Sequence, residues 1–296
     1  MLGLKRGTVM LCPHEASWER EAERTVAQLK DILGTVALNA AHVGSTAIPT
    51  IMAKPIVDIA LAVKALSDID PFVDALRAAG YHLRPSDAEG QRLLAKGSFY
   101  EGTGTEQTHF VHVVELDGEA WRNYLNFKRY LLRYPAVARE YEVLKCELCK
   151  TYTGEGAREK YLAGKAAFIA YTLRKATVDA YLGQCVHIGI DRPVGYVHQK
   201  EKYALIYPIN YGFIPGVLGG DGEELDVYLL GVDTPVEEYD ARVIAVVHRE
   251  NDVEDKLVAA PVGMQFSARE IADGIRFQEQ YYKTKIETET GELYTV

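Results

Sequence analysis

A change in apolar patterning near residue 180 is the feature of this sequence that most constrains its fold. Before it, helical periodicity alternates with short β-branched runs, which is typical of a mixed α/β domain. After it, short apolar segments are separated by Gly, Pro and Asp, which is typical of a β-barrel or sandwich. A chain of 296 residues also has the length of two ordinary domains. We therefore predict an α+β protein with domains 1–178 and 183–296, joined by a short linker.

The first segment contains clear helix and strand patterns. Apolar residues at steps of three or four predict an amphipathic helix over His14–Leu33. The β-branched runs Pro55–Val63 and His109–Val114 predict buried strands. Helical periodicity dominates residues 121–174, and Pro135 is expected to divide this stretch into two helices.

The second segment predicts short strands followed by one helix. Ser267-Ala-Arg-Glu270 has the form of a capping box and predicts the start of that helix. The predicted strands are Val186–Ile190, Ala204–Pro208, Asp226–Leu230, Ala241–Val247 and Leu257–Ala260.

The composition argues against several classes of protein. A formal net charge of −9 disfavours general nucleic-acid binding, which needs a basic face. The longest apolar runs are too short to cross a bilayer, and the N-terminus lacks the apolar stretch of a signal peptide. Cys146 and Cys149 form a CxxC pair, but in a helical pattern they simply share a face. We expect no membrane association and a cytoplasmic location.

Two acidic clusters in the second segment carry the strongest chemical signal. Asp221-Gly-Glu-Glu-Leu-Asp226 places four acids in six residues, and its glycines allow the carboxylates to converge. In Asp252-Val-Glu-Asp-Lys256, an extended backbone would put Asp252, Glu254 and Lys256 on one face. Carboxylate oxygens suit Mg²⁺, and a lysine neutralises phosphate oxygens. Together the clusters predict a metal–phosphate site, although either one alone would more often be a solvated turn.

Basic and aromatic residues flank these clusters. Lys200 and Lys202 precede a predicted strand, and Tyr282-Lys283 follows the last helix. Tyr207 and Tyr211 supply hydroxyl groups. Because a diphosphate carries several negative charges, a site for it needs cations as well as metals.

The order of these motifs resembles that of the family I inorganic pyrophosphatases. The resemblance covers most of Val186–Ile286. It rests on the segment Tyr207-Pro-Ile-Asn-Tyr-Gly-Phe-Ile-Pro215 and on Asp221–Asp226, which follows it. It implies an OB-like five-stranded barrel with a flanking helix, and Mg²⁺-dependent attack of water on pyrophosphate. It further implies metal binding by Asp221, Asp226, Asp252 and Glu254, proton transfer by Glu223, and substrate contacts from Lys200, Tyr211, Lys256, Tyr282 and Lys283.

The sequence departs from the pattern of that family at several positions. Glu223 and Glu254 stand where the family usually has aspartate, which adds a methylene of reach. The loop before Lys256 is shortened, so Asp255 could substitute for a neighbouring ligand, and the family's early glutamate has only Asp191 as a candidate. Two alternatives therefore remain open. One is hydrolysis of another diphosphate, such as a nucleotide derivative, and the other is a non-catalytic sensor of phosphate or nucleotide.

A Gly-Ser turn in the first segment predicts a second phosphate site. Gly44-Ser45 is followed by Lys54-Pro-Ile-Val-Asp58 at the start of a predicted strand. Backbone N–H groups and a hydroxyl group can contact phosphate there, while Asp58 holds Mg²⁺.

Nearly all of residues 10–175 resemble the GrpB family. The resemblance rests on the residues from His42 to Asp58, on His109–His112 and on Tyr161-x-x-x-Lys165. The resemblance implies a nucleotidyltransferase-like fold that uses the turn, Lys54 and His112 to hold nucleotide. Ala60 stands where such enzymes typically carry a second acid, so catalysis and simple binding both remain open.

The two resemblances together predict the partners of the chain. We expect Mg²⁺ as the cofactor, pyrophosphate or another diphosphate at the second domain, and a nucleotide at the first. Nucleotidyl transfer releases pyrophosphate, so its hydrolysis would draw that reaction forward. We also expect a homo-oligomer.

Overall fold

The computed structural model describes residues 1–85, 89–199 and 204–296. They form two compact units, Met1–Leu173 and Arg174–Val296, each with its own hydrophobic core. No helix in these ranges is long and apolar enough to span a membrane.

The N-terminal unit combines strands and helices, and three helices follow its last strand. The strands are β1 Leu4–Lys5, β2 Asn39–Val43, β3 Val57–Val63, β4 His82–Arg84, β5 Gln91–Lys96, β6 Glu106–Gln107 and β7 His109–Glu115. The helices are α1 Ser17–Leu33, α2 Val73–Ala78, α3 Glu119–Arg133, α4 Pro135–Thr151 and α5 Ala157–Asp179, with 3₁₀ turns at Gly34–Val36, Ser45–Ala47 and Leu66–Phe72. The last residues of α5, from Arg174, belong to the C-terminal unit.

A mixed five-stranded sheet lies at the centre of this unit, in the order β2-β3-β7-β5-β4. β3 and β7 are parallel and the other neighbours are antiparallel, while β1 and β6 form a separate ribbon. Because Asp58 is paired with Phe110 and Ala60 with His112, these four side chains share one face of the sheet. The opposite face packs against α1, including its buried Trp18.

The predicted helix and strand positions in this unit are confirmed with shifted ends. α1 begins at Ser17 instead of His14, and β3 begins at Val57 instead of Pro55. Pro135 divides the helical stretch as expected, because proline is tolerated in the first turn of α4. A second break between α4 and α5 was missed. It contains Gly154 and Gly156, both at positive φ.

The C-terminal unit is built mainly from strands. They are β8 Cys185–Arg192, β9 Val197–Gln199, β10 Ala204–Ile206, β11 Asn210–Leu218, β12 Glu224–Leu229, β13 Glu238–Arg249, β14 Lys256–Ala260, β15 Thr284–Thr288 and β16 Leu293–Thr295, with α6 at Ala268–Glu279.

Five of these strands close into a barrel. They are hydrogen-bonded in the order β14-β12-β11-β8-β13, and β13 also pairs with β14, which completes the circle. β12 and β14 are parallel and the remaining barrel pairs are antiparallel. β15 and β16 extend the sheet from β13. The barrel therefore has the predicted OB-like character, with Ile188, Val227, Val243 and Leu257 in its core.

All five strands predicted for this unit are present. The predicted strand at 204–208 exists as β10, but it pairs only with β9, in a separate ribbon. β11 takes its place in the barrel, and no strand was predicted at its position. The capping box is confirmed, because the Ser267 side chain accepts from Glu270 N and the Glu270 side chain accepts from Ser267 N.

Candidate functional site

The first acidic cluster forms a turn closed by its own backbone. Gly219 N donates to the carbonyl oxygen of Glu223 at 2.7 Å, and Glu223 N donates to Asp221 Oδ1 at 3.0 Å. The turn leads directly into β12, so a barrel strand carries Asp226. The cluster therefore has one carboxylate fixed by a turn and another fixed by a sheet.

Gly220 lets the two acidic clusters pack against each other. A Cβ at this position would lie 2.1 Å from the carbonyl oxygen of Val253, which is closer than real Cβ contacts. A Cβ added at the neighbouring Gly219 would lie 3.6 Å from both Asp221 Oδ1 and Glu254 Oε1. Carboxylates from the two clusters thus flank the same glycine.

Lys256, the first residue of β14, joins the two clusters. Its ammonium group is buried and donates to Glu254 Oε2 at 2.8 Å, to Tyr211 Oη at 2.8 Å and to Asp226. An ammonium group has three donors, so this arrangement uses its full capacity. The structure thus brings four of the residues predicted for one site into direct contact.

The gathered carboxylates make the site favourable for a cation. Burial raises the pKa of Glu254 to about 7; repulsion from Asp226 adds to the rise, and the Lys256 ammonium opposes it. Carboxylate oxygens are the donors that Mg²⁺ prefers, so the donor set fits this metal. Among the described residues, no three acidic, His or Cys side chains already surround a common point. The Lys256 ammonium instead lies between Asp226 and Glu254.

Asp252 lies near Glu254, because Arg249 Nη1 is 3.0 Å from Asp252 and 3.9 Å from Glu254 Oε2, but the extended backbone expected for this segment is absent. Residues 250–255 lie outside any strand, so the alternation of an extended chain does not apply to them. Asp252 accepts a hydrogen bond from Arg249 Nη1 at this 3.0 Å distance.

Asp255 is turned away from the acidic site. One of its carboxylate oxygens lies 2.8 Å from His248 Nδ1, and the other accepts from Lys175. Burial alone would lower the pKa of His248, but hydrogen bonds to Asp255 and Glu287 raise it to about 9. Asp255 therefore belongs to a buried ionic network and is not available to substitute for a neighbouring ligand.

Arg249 is a buried residue of this region that the sequence did not reveal. Its guanidinium group binds both oxygens of Glu279, lies 3.7 Å from the centroid of the Tyr282 ring and approaches Glu254 Oε2 at 3.9 Å. No local motif marks it, because the residues that it contacts lie in two separate segments of the chain, 252–254 and 279–282.

The remaining predicted residues of the barrel occupy different positions. Glu223 is exposed at the tip of its turn, and Lys283 is exposed just after α6. Tyr282 is half-buried under Arg249. Lys200 lies outside the described residues.

A layer of aromatic side chains supports the site. Tyr211 is fully buried and contacts the rings of Tyr207 and Tyr228 edge-on. Arg192 donates to Tyr207 Oη at 3.0 Å and lies 5.0 Å from the centroid of the Tyr211 ring. Arg192, which holds two of the signature tyrosines in place, was not predicted from the sequence.

A cavity of about 490 Å³ opens on the sheet face of the N-terminal unit that carries Asp58 and His112. This is a typical volume for a small-molecule site. The cavity is lined by all five residues predicted to hold nucleotide or metal: Gly44, Ser45, Lys54, Asp58 and His112. Aromatic side chains form much of the remaining wall: Phe110, Tyr124, Phe127, Tyr141 and Tyr161.

The Gly-Ser turn packs directly against Asp58. A Cβ at Gly44, whose φ is +69°, would lie 2.5 Å from Asp58 Oδ2. The other carboxylate oxygen lies 3.4 Å from His112 Nε2. His112 Nδ1 is buried and has no hydrogen-bond partner in the described part of the chain. Ala60 is also buried, so the position two residues after Asp58 supplies no carboxylate.

Lysine side chains supply the positive charge of this cavity. The ammonium groups of Lys54 and Lys165 lie 5.1 and 5.6 Å from the centroid of the Tyr161 ring. Burial, followed by repulsion from Lys165, lowers the pKa of Lys54 to about 8. Lys145 donates to Ser45 Oγ at 3.1 Å, and burial lowers its pKa to about 7. The sequence predicted Lys54 for this group and pointed to Lys165 through its spacing from Tyr161, whereas it did not predict Lys145.

Comparisons with known proteins divide the chain in the same way. Residues 8–175 match the family model described as GrpB protein, and residues 184–288 match the one described as inorganic pyrophosphatase. The glutamate-rich protein GrpB of Alkalihalophilus pseudofirmus is 36% identical over 171 residues, which cover 57% of this chain and 96% of that protein.

Two crystal structures give the corresponding structural comparison. The conserved protein GrpB from Enterococcus faecalis is 29% identical, with a TM-score of 0.51, and the match covers 56% of this chain and 96% of that chain. The inorganic pyrophosphatase from Ehrlichia chaffeensis is 19% identical, with a TM-score of 0.30, and the match covers 37% of this chain and 88% of that chain.

Proposed function

The chain belongs to the GrpB family, and from the pyrophosphatase-like domain that follows its GrpB domain we propose that it is a Mg²⁺-dependent enzyme that hydrolyses inorganic pyrophosphate to phosphate. The observation that carries this proposal is the meeting of two acidic clusters at one buried lysine. Asp226 and Glu254 both accept from Lys256, and Asp221 lies beside Glu254 across Gly219.

Asp221, Asp226 and Glu254 would hold Mg²⁺ in this proposal. The bound metal supplies positive charge that neutralises diphosphate oxygens and makes an attacking water more acidic. The three carboxylates outnumber the single ammonium group between them, which favours a divalent cation. Burial raises the pKa of Glu254, and repulsion from Asp226 adds to that rise.

The residues of the chain itself would position the water and the substrate. Glu223 is exposed, and a hydrogen bond to Asp221 fixes its backbone, so its carboxylate can accept the proton of the attacking water. Lys256 and Tyr211 would hold Asp226 and Glu254 in place. The exposed Lys283 can pair with the departing phosphate.

Phosphate release tests this proposal directly. The full chain is incubated with pyrophosphate or with a nucleoside diphosphate, in the presence of Mg²⁺ or of excess chelator. Asp226→Asn is compared with Asp240→Asn, a variant at an exposed barrel position. We expect Mg²⁺-dependent release that falls by about 100-fold or more in Asp226→Asn and is unchanged in Asp240→Asn. A wild-type protein that releases phosphate only from nucleotide diphosphates would support the alternative substrate, and binding without turnover would support a sensor.

For the N-terminal domain we propose nucleotide binding in the 490 Å³ cavity. The observation in its favour is that the Gly-Ser turn, Lys54, Asp58 and His112 all line one cavity with aromatic walls. If the domain also transfers nucleotidyl groups, the pyrophosphate released would be a substrate for the barrel. Calorimetric titration of the full chain with AMP and with ATP tests this binding. The absence of binding heat with both nucleotides would contradict nucleotide binding by the N-terminal domain.

A further inference from the structure

The charges around the N-terminal cavity are unbalanced. Lys54, Arg158 and Lys165 line the cavity, whereas its carboxylates are Asp58 and the exposed Glu89. In the described part of the chain, neither Lys54 nor Lys165 has a carboxylate within ion-pair distance. Two ammonium groups beside one tyrosine ring therefore lack an anionic partner.

The cavity wall formed by the sheet face of Asp58 is poorly suited to a divalent cation. Asp58 is the only carboxylate on its sheet face near the Gly-Ser turn, as far as the described residues extend, and it already lies against His112. Ala60 occupies the next position on that face and is buried. Mg²⁺ needs several oxygen ligands, which one engaged carboxylate does not provide. The predicted metal role of Asp58 thus has little support in the donor set.

We propose that the N-terminal cavity binds the phosphate group of a nucleotide through direct ion pairs with Lys54 and Lys165, without a divalent metal. This inference rests on the proposed nucleotide binding of the domain and specifies its charge recognition. The metal requirement of the chain then belongs to the barrel alone.

The chemistry of the cavity supports this division of roles. Lysine is a compact point charge suited to phosphate oxygens, and an anion between Lys54 and Lys165 would remove their mutual repulsion. The aromatic side chains that line the cavity, including Phe110 and Phe127, supply apolar surface that suits a base. A ligand that fits both the lysines and the aromatic wall carries a phosphate group and an aromatic ring, as a nucleotide does.

AMP is the appropriate probe, because it contains no diphosphate bond that the barrel could hydrolyse. Its affinity for the full chain is measured by calorimetry with Mg²⁺ and with excess chelator, beside adenosine and inorganic phosphate. We expect AMP affinities that agree within about twofold in the two conditions, and adenosine binding that is at least about tenfold weaker.

Variants locate the binding within the cavity. Lys165→Gln, at a half-buried helix position, should weaken AMP binding at least about tenfold, as should Lys54→Gln. Lys64→Gln removes an exposed lysine just after β3 and should leave the affinity unchanged. Circular dichroism of each variant verifies that it is folded, and Lys165→Gln alone suffices should Lys54→Gln fail to fold.

The outcomes separate this inference from the proposal on which it rests. AMP binding that requires Mg²⁺, that survives Lys165→Gln or that is matched by adenosine would overturn the metal-free phosphate site while leaving nucleotide binding intact. No binding of AMP or ATP in either condition would overturn both.

Discussion

Arg249 and Glu279 form a buried two-point ion pair, with Nε 3.1 Å from one carboxylate oxygen and Nη2 2.5 Å from the other. Tyr228 and Thr284 donate to the same carboxylate at 2.5 and 2.8 Å. Because Arg249 also donates to Asp252, this pair connects the end of α6 to the second acidic cluster. The geometry of the acidic site thus depends on a residue outside it.

Glu279→Gln should lower the free energy of unfolding of the C-terminal unit by about 3 kcal/mol, because it leaves the buried guanidinium of Arg249 without its counter-charge. Both tryptophans, Trp18 and Trp121, lie in the N-terminal unit, so circular dichroism during urea unfolding is the suitable measurement. Glu238→Gln, at an exposed position, serves as the control. A loss below about 1 kcal/mol would show that the pair contributes little to stability.

Gly220→Ala should reduce pyrophosphate hydrolysis by at least about tenfold while the protein stays folded. The added Cβ would meet the carbonyl oxygen of Val253 and push the two acidic clusters apart. Gly263→Asn is the matched control, because that glycine has a φ of +92° and no neighbour within 4 Å of an added Cβ. Wild-type activity in Gly220→Ala would mean that the packing of the clusters does not matter for catalysis.

Mg²⁺ should raise the melting temperature of the wild-type protein, because a ligand that binds only the folded state stabilises it. At 100 times the dissociation constant the gain is about 2.7 kcal/mol. Glu254→Gln should abolish this shift, and Asp240→Asn should retain it. KCl at matched ionic strength distinguishes binding from charge screening. An equal Mg²⁺ shift in Glu254→Gln would remove Glu254 from the metal site.

The stability of the C-terminal unit should fall as pH rises through about 9. The pKa of His248 is raised in the folded state from its ordinary value of 6.5 to about 9. Its ionic contribution is therefore fully present below pH 6.5 and is lost as pH rises through 9, with a size of about 3 kcal/mol at most. Urea unfolding between pH 6 and 10 measures the slope. His248→Gln should flatten it, and the exposed His187→Gln should not.

Local patterns predicted much of the secondary structure because their causes are local. The capping box at Ser267 depends on a residue three positions away, and Pro135 acts on its own helix. β11 escaped prediction because it combines Pro215 with Gly212, where an added Cβ would lie 1.8 Å from the carbonyl oxygen of Gly189. That need for glycine arises from another strand, which the local sequence cannot indicate.

The acidic site was predictable as a set of residues but not as an arrangement. Glu254 and Asp255 are equivalent acids in the sequence, yet one faces Lys256 and the other faces His248. Their separation depends on where β14 begins, and strand ends are the least certain part of a sequence prediction. Arg249 could not be predicted, since its partner Glu279 lies in a distant helix.

The closed barrel also determines when this part of the protein can form during synthesis on the ribosome. The circle is complete only when β14 pairs with both β12 and β13, so the earlier strands must wait for residues 256–260 to emerge. Ribosomes add about 5–20 residues per second, and every intermediate before that moment has unpaired strand edges. The barrel should therefore become resistant to proteolysis in a single step, after residues 256–260 have emerged and later than the N-terminal unit.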